Sequence, residues 1–160
     1  MIFPLTNTTS TFSTRYDANY ERPPSLAIIA GTYAGSADGI TTTTTTTTTI
    51  SSTGAISGSS TGGCRFTGST KPRTAGNLYD YSITFGGAPC ELPNQTLRGV
   101  AATEATGRAI LAAGVDATRQ AGFVFFGTKV DAAGDAPAMK STAFGEFTST
   151  VKGTGLLILR

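Results

Sequence analysis

The side chains of this sequence that are able to do chemistry are two cysteines and a small number of acidic residues. Cys64 and Cys90 flank a stretch of alternating residues, which favours a disulfide that ties a loop back to a strand. Two reduced, buried thiols are the alternative. A disulfide here would stabilise the fold by roughly 3–4 kcal/mol, less any strain.

Catalysis and metal binding have no support in the remaining residues. The chain has no histidine, so a zinc site lacks ligands, and it has no CxxC, Gly-x-Ser-x-Gly, phosphate-loop or dinucleotide motif. Two carboxylate pairs are conceivable, Asp80 with Glu91 and Asp131 with Asp135. We interpret both as solvated charges, since Asp80 belongs on the wet face of a strand and the second pair in a linker. We therefore expect no enzyme, no cofactor and no metal.

Composition predicts a single exported domain of 160 residues. Charged residues make up 14% of the chain, against a usual ~25%, and such sparsely charged surfaces are commoner outside cells. The net charge of +2 is spread along the chain without a basic cluster, so we expect no nucleic-acid partner. No stretch has the length of a membrane span, and Met1–Leu5 is not a signal peptide. We expect a mature chain or a fragment of a periplasmic, cell-surface or extracellular protein.

Strand patterning is clearest between the cysteines. Residues 77–85 place Tyr79, Tyr81, Ile83 and Phe85 on one face and mostly polar residues on the other, as in a half-buried strand. A shorter strand, residues 64–70, precedes it, and the Pro and Gly between them predict a hairpin. Turn signals recur every ~8–12 residues from Gly31 to Thr128, the spacing of a barrel or sandwich.

Nine consecutive threonines, Thr41 to Thr49, predict one long strand because β-branched side chains favour extended backbone. Alternation puts the odd-numbered threonines on one face and the even-numbered ones on the other. Ice binding and O-glycosylation are alternatives with less support. Such a uniform run specifies its register poorly, since a slip of two residues leaves every side chain equivalent.

Other segments are less decisive. Ser25 is suited to cap a short helical turn near Ser25–Ile29. The alanine-rich residues 101–113 favour a hairpin over a helix, because Gly107 interrupts them. We predict an N-terminal extended arm or edge strand over residues 1–24, the barrel domain over residues 25–130, and a linker with a C-terminal strand over residues 131–160. Gly155–Arg160 is expected to close the barrel, or to pair with another copy of the chain.

These patterns predict an all-β fold: a small antiparallel, up-and-down, lipocalin-like barrel of about eight strands with one helical turn. A β-sandwich is the alternative. Five aromatic side chains at strand spacing are the candidates for lining either a pocket or a plain core. They are Tyr79, Tyr81, Phe85, Phe123 and Phe125.

Four segments resemble, in order and spacing, the second half of a family of uncharacterised secreted proteins and lipoproteins of Gram-negative bacteria. They are PPSLAIIAGTYAG, ISSTGAISGSSTGGCRFTGSTKPR, NLYDYSITFGGAPCELPNQTLRGVA and VDATRQAGFVFFGTK. The resemblance implies an exported β-rich domain and pairing of Cys64 with Cys90, and it implies no activity. This chain differs in lacking an export signal and a preceding β domain, and in continuing from Val130 to Arg160.

Two classes of function follow. The first is a non-enzymatic exported binding or cell-surface protein of unknown ligand, with a pocket inside the barrel. The second is a structural subunit of an extracellular assembly, a homo-oligomer joined by exchange of its terminal strands.

Overall fold

The computed structural model describes residues 9–11, 16–39, 41–130 and 150–152. Two short helical elements precede the main sheet: a 3-10 turn, η1 (Ala18–Glu21), and a single α-helical turn, α1 (Leu26–Ile29). The strands are β1 (Thr9–Thr11), β2 (Gly31–Asp38), β3 (Thr43–Ile50), β4 (Ala55–Ser60), β5 (Arg65–Pro72), β6 (Leu78–Phe85), β7 (Thr96–Thr103), β8 (Ala109–Val115), β9 (Gly122–Lys129) and β10 (Thr150–Lys152).

Strands β2 to β9 form a closed, antiparallel, up-and-down barrel, in which each strand pairs with its neighbours in the sequence. The predicted fold class is thus confirmed, and the sandwich alternative is excluded. The threonine run forms β3, and the alanine-rich segment forms the hairpin of β7 and β8 rather than a helix. The predicted helical turn is also present, with Ser25 Oγ accepting a hydrogen bond from Ala27 N.

The barrel closes through β2 and β9, whose register runs from Tyr33 opposite Lys129 to Asp38 opposite Val124. The prediction that Gly155–Arg160 closes the barrel is therefore wrong, because both edges it would have filled are already paired. Gly155–Arg160 itself lies outside the described residues. Thr9–Thr11, within the predicted N-terminal arm, instead pairs antiparallel with Thr150–Lys152 in a separate two-stranded sheet.

Glycines permit the close strand approaches that the coiled barrel wall requires. A Cβ placed on Gly35 would lie 1.9 Å from the carbonyl oxygen of Phe126 on the neighbouring strand. A Cβ on Gly99 would lie 2.0 Å from the carbonyl oxygen of Ala113. Any larger residue would push these neighbouring strands apart, so the glycines belong to the geometry of closure.

One end of the barrel is sealed by α1, whose Ile29 is fully buried. Two buried tyrosines hold this turn. The Tyr79 hydroxyl accepts from Ser25 N and donates to Ser25 O, at 3.0 Å each, while the Tyr33 hydroxyl lies 3.0 Å from Ile29 O and 2.9 Å from Gly107 O. We call this end the closed end of the barrel.

Lys129 completes the closed end by donating to the carbonyls of Ile28 at 3.1 Å and Ala30 at 2.7 Å, where α1 leaves carbonyl groups without helical partners. Partial burial lowers the pKa of Lys129, because removing the ammonium from water disfavours its charged form. The 3-10 turn docks at the same end: Asn19 Nδ2 donates to Thr103 O, and Asn77 N donates to Tyr20 O.

Removing the Tyr79 hydroxyl should loosen the closed end. In Tyr79→Phe, Ser25 N loses its acceptor, and we expect the free energy of unfolding to fall by about 1–3 kcal/mol. Urea unfolding followed by circular dichroism measures this. Tyr20→Phe is the matched control, since Tyr20 is half exposed and its hydroxyl has no hydrogen-bond partner within the described residues. Equal losses in the two variants would contradict the prediction.

Candidate functional site

The barrel encloses a cavity of about 710 Å³ that reaches from the closed end to the opposite end. Ile29 of α1 lies at its base, while Gly39, Thr42, Gly62 and Glu91 line it at the far end, which we call the mouth. The interior of an eight-stranded barrel can be filled by side chains or can hold one small ligand. This volume lies in the range of small-molecule sites, which is roughly 300–1,000 Å³.

Four of the five aromatic candidates line the cavity: Tyr81, Phe85, Phe123 and Phe125. Tyr79 does not, because it is fully buried at the closed end, where its hydroxyl holds Ser25. The rings of Phe85 and Phe123 meet edge to face, with centroids 6.0 Å apart, and the Tyr81 ring lies 5.9 Å from that of Phe123. These contacts join Tyr81, Phe123 and Phe85 in one continuous surface, which we call the aromatic wall.

Further apolar residues complete the walls and were not proposed from the sequence as cavity residues. Phe66 extends the aromatic wall, with its ring centroid 6.0 Å from that of Phe85. The others include Ala37, Ile50, Ile56, Ile83, Ala101, Ile110 and Ala112. For Ile110 and Ala112 the sequence carried little signal, because the opposite face of β8 holds Leu111 and Ala113, which are equally apolar.

The even-numbered threonines of β3 form a polar wall. Thr44, Thr46 and Thr48 line the cavity, whereas Thr45, Thr47 and Thr49 are exposed on the outside of the barrel. Thr43, at the mouth end of β3, is exposed and also borders the cavity. Alternation separates the two faces of the threonine run but does not show which face points into the barrel. Ile50 indicates the inner face, because it is apolar, directly follows the run and lies on the same face of the strand as the even-numbered threonines. We call Thr44, Thr46 and Thr48 the threonine stripe.

The mouth is bordered by residues 86–95, which join β6 to β7. Cys90 in this loop forms a disulfide with Cys64, which immediately precedes β5, so the predicted pairing is confirmed. Next to it, the Glu91 carboxylate accepts from Thr41 N and Thr41 Oγ1, both at 2.5 Å, and from Thr42 Oγ1 at 3.2 Å. Leu92 packs with Leu97 in a small buried cluster. The loop is thus fastened to three sides of the mouth.

The conceivable carboxylate pairs are not formed among the described residues. Asp80 pairs with Arg73 across the β5–β6 hairpin, with Arg73 Nη2 2.7 Å from Asp80 Oδ1, whereas Glu91 lies at the mouth. Asp131 and Asp135 lie outside the described residues. Within the described ranges, no group of three or more histidine, cysteine, aspartate or glutamate side chains is placed to hold a metal ion. No helix of this part of the chain has the length and apolar character needed to cross a membrane.

The deep part of the cavity is electrostatically neutral. Burial raises the pKa of Tyr81, because the phenolate would lose its hydration, so the side chain stays protonated. Its hydroxyl oxygen is inaccessible and has no hydrogen-bond partner among the described residues. Glu91 at the mouth is the one acidic or basic side chain among the residues that line the cavity in the described structure.

Asp116 organises the loop between β8 and β9 at the mouth end. Its carboxylate accepts from the Thr118 hydroxyl and from the backbone N–H groups of Gln120 at 2.9 Å and Ala121 at 3.0 Å. These hydrogen bonds, led by that from Thr118, lower the pKa of Asp116 to about 2, because they favour the charged form.

No family model, curated protein or solved structure matches this chain. A barrel by itself does not define a function, since the same architecture carries many unrelated sites. The chemistry of the cavity and its mouth is therefore the basis for assigning one.

Removing the disulfide should destabilise the protein and release the mouth loop. We expect Cys64→Ala/Cys90→Ala to lose up to about 3–4 kcal/mol of unfolding free energy, because the unfolded chain is no longer cross-linked. Urea unfolding measures the loss. Hydrogen exchange in β6 near the closed end should accelerate only by the factor that the global loss of stability sets, whereas residues 86–95 should accelerate by more than that factor. Acceleration by the same factor in both regions would contradict a local role at the mouth.

The Asp116 contacts predict a specific pH dependence. A folded pKa of about 2, below the usual value of about 3.9, means that ionised Asp116 stabilises the fold above pH 4 and that this contribution is lost as pH falls toward 2. Thr118→Val should raise the pKa of Asp116 toward the usual value, as followed by NMR titration. Thr67→Val, on the outer face of β5, should leave the pKa unchanged. A wild-type Asp116 that titrates near 3.9 would refute the assignment.

Proposed function

We propose that this protein binds a small, largely apolar molecule inside the barrel, and that the molecule enters through the mouth. The observation that carries the proposal is the cavity of about 710 Å³, with aromatic and aliphatic walls and a sealed base. Binding pockets for small molecules are typically concave, mostly apolar and furnished with a few polar groups. The cavity has each of these properties.

The two ends of the barrel support a direction of entry. The base is held by the hydroxyls of Tyr33 and Tyr79 and by the Lys129 ammonium, so it does not open without breaking hydrogen bonds that are buried or partly buried. The loops around the mouth are held by the Cys64–Cys90 disulfide and by the hydrogen bonds that Glu91 accepts. Fastened loops around an opening give a preformed site with little ordering to do on binding.

We further propose that the protein acts outside the cytoplasm as a binding or surface protein without catalytic activity. The disulfide supports this location, because such bonds persist in oxidising compartments. The resemblance to secreted proteins and lipoproteins of Gram-negative bacteria agrees with it. Binding is preferred to catalysis because the cavity walls offer hydroxyls and apolar surface, and the Glu91 carboxylate is engaged by Thr41 and Thr42.

A structural subunit joined by strand exchange is the less favoured proposal. Exchange needs an unpaired strand edge, and each barrel strand from β2 to β9 is paired on both sides. Strands β1 and β10 remain as candidates, and they pair with each other within the chain.

Filling the cavity should abolish binding of an apolar probe. We expect N-phenyl-1-naphthylamine to become strongly fluorescent on binding the wild-type protein. Ala112→Phe should weaken this binding at least about tenfold, because the added ring occupies the cavity. Fluorescence titration gives the affinities, and Ala37→Phe near the mouth is a second filling variant.

Ala113→Phe is the matched control, because Ala113 is adjacent on β8 and exposed on the outer face. It should bind the probe like the wild type, and urea unfolding should show that all variants remain folded. Absence of binding to the wild type, or equal binding to all variants, would overturn the proposed function.

A further inference from the structure

The threonine stripe is the feature of the cavity that a purely apolar ligand leaves unexplained. Thr46 and Thr48 are more than nine-tenths buried and face a space whose other walls are mostly apolar. A valine at these positions would keep the strand propensity and the shape of the side chain while removing the polar atom. The hydroxyls therefore cost free energy unless something hydrogen-bonds to them.

The protein itself uses few of these hydrogen-bonding groups. Thr44 Oγ1 and Thr46 Oγ1 lie 3.3 Å apart and share one hydrogen bond, which leaves one of their two hydroxyl protons without a partner. Thr48 Oγ1 has no hydrogen-bond partner in the described part of the chain. Neither Thr46 nor Thr48 has its oxygen among the inaccessible unpaired atoms, unlike Tyr81, whose hydroxyl is sealed from the cavity. Donors and acceptors thus face the cavity at two levels.

The levels are arranged along the direction of entry. Strand β3 runs from the mouth to the closed end, and Thr44 and Thr48 are about 13 Å apart along it. Phe85, Phe123 and Phe125 stand on other walls of the same cavity. A molecule lying along the cavity would therefore meet hydroxyls on one side and aromatic rings on the other.

Charge on the ligand is disfavoured inside this cavity. Glu91 is confined to the mouth, and it already accepts hydrogen bonds from Thr41 and Thr42. Burying an ionised ligand group beside neutral hydroxyls, without an opposite charge, carries a large desolvation cost. Uncharged hydroxyl or carbonyl groups carry a smaller cost, which hydrogen bonds to the threonines offset.

From these observations we infer that the ligand is an uncharged amphipathic molecule whose hydroxyl or carbonyl groups hydrogen-bond to the threonine stripe while its apolar body packs on the aromatic wall. This inference rests on the proposed binding function and specifies its ligand class. It places the polar group of the ligand inside the barrel and not at the mouth.

The test compares 1-decanol with decanoate, which have the same chain length, as competitors of N-phenyl-1-naphthylamine at pH 8, where the carboxylate is ionised. We expect 1-decanol to displace the probe from the wild-type protein at a concentration at least about tenfold lower than decanoate. A head group that stays at the mouth predicts equal competition instead, and that result would overturn the inference.

Thr48→Val and Thr46→Val provide the second arm. Each should weaken the affinity for 1-decanol about three- to tenfold, the effect of losing one buried hydrogen bond, and should leave the affinity for the probe unchanged. Thr47→Val is the matched control, since Thr47 is exposed on the outer face of β3. Urea unfolding should show Thr48→Val to be as stable as the wild type or more stable, because the Thr48 hydroxyl has no hydrogen-bond partner among the residues that the structure describes.

The outcomes separate the two proposals. Failure of the probe to bind any folded variant refutes the proposed function. A different outcome refutes only the role of the threonine stripe and keeps the proposed function. In that outcome Ala112→Phe weakens probe binding, while Thr46→Val and Thr48→Val leave the affinity for 1-decanol unchanged.

Discussion

Pairing of β2 with β9 is the constraint on which the rest of the barrel depends. This pairing leaves no free edge among β2–β9, and it fixes which face of every strand points inward. Closure also demands close backbone contact, which explains why Gly35 and Gly99 have neighbouring carbonyl oxygens where a Cβ would stand. The cavity follows from closure, because the small inward residues of several strands do not fill the space that the ring of strands encloses.

The two ends of the barrel are secured by different interactions, and this difference makes the cavity directional. At the closed end, buried hydroxyls of Tyr33 and Tyr79 bind backbone groups of α1 and its cap, so the turn behaves as part of the core. At the mouth, a covalent bond and the Glu91 carboxylate hold a loop that has little core of its own. The base is thus held by hydrogen bonds from buried tyrosines, whereas the opening is held by the disulfide, by the Glu91 hydrogen bonds and by the small Leu92–Leu97 cluster.

Local features of the fold were predictable from the sequence, and long-range ones were not. The β5–β6 hairpin, the helical turn after Ser25 and the Cys64–Cys90 pair depend on residues close in sequence, where turn chemistry and alternation act directly. Closure pairs β2 with β9, placing Tyr33 opposite Lys129, and no residue pattern in either strand identifies the other as its partner. The apolar residues at the end of the sequence therefore suggest a closing strand, whereas in the structure β9 closes the barrel.

The candidate site shows the same division. Alternation places Tyr81 and Phe85 on one face of their strand, and likewise Phe123 and Phe125 on one face of theirs. Aromatic residues on one face fit a filled core as well as a cavity wall. Tyr79 shares their spacing and belongs to the sealed base, which only the position of α1 reveals. Ile50 marked the inner face of the threonine run, but the depth of the cavity behind it depends on all eight strands together.

The threonine stripe is the part of the barrel interior where the residues present differ most from those that would give the most stable core. Ile50 and Ile56 face each other at the base of β3 and β4 with apolar side chains, as a core favours. Two residues earlier on the same face of β3, Thr48 has a buried hydroxyl with no hydrogen-bond partner among the described residues, although valine would suit both the strand and its surroundings. Local departures from the rules of core packing tend to mark functional positions. A ligand that returns hydrogen bonds to the stripe removes the conflict, and it does so without altering any contact on which the barrel depends.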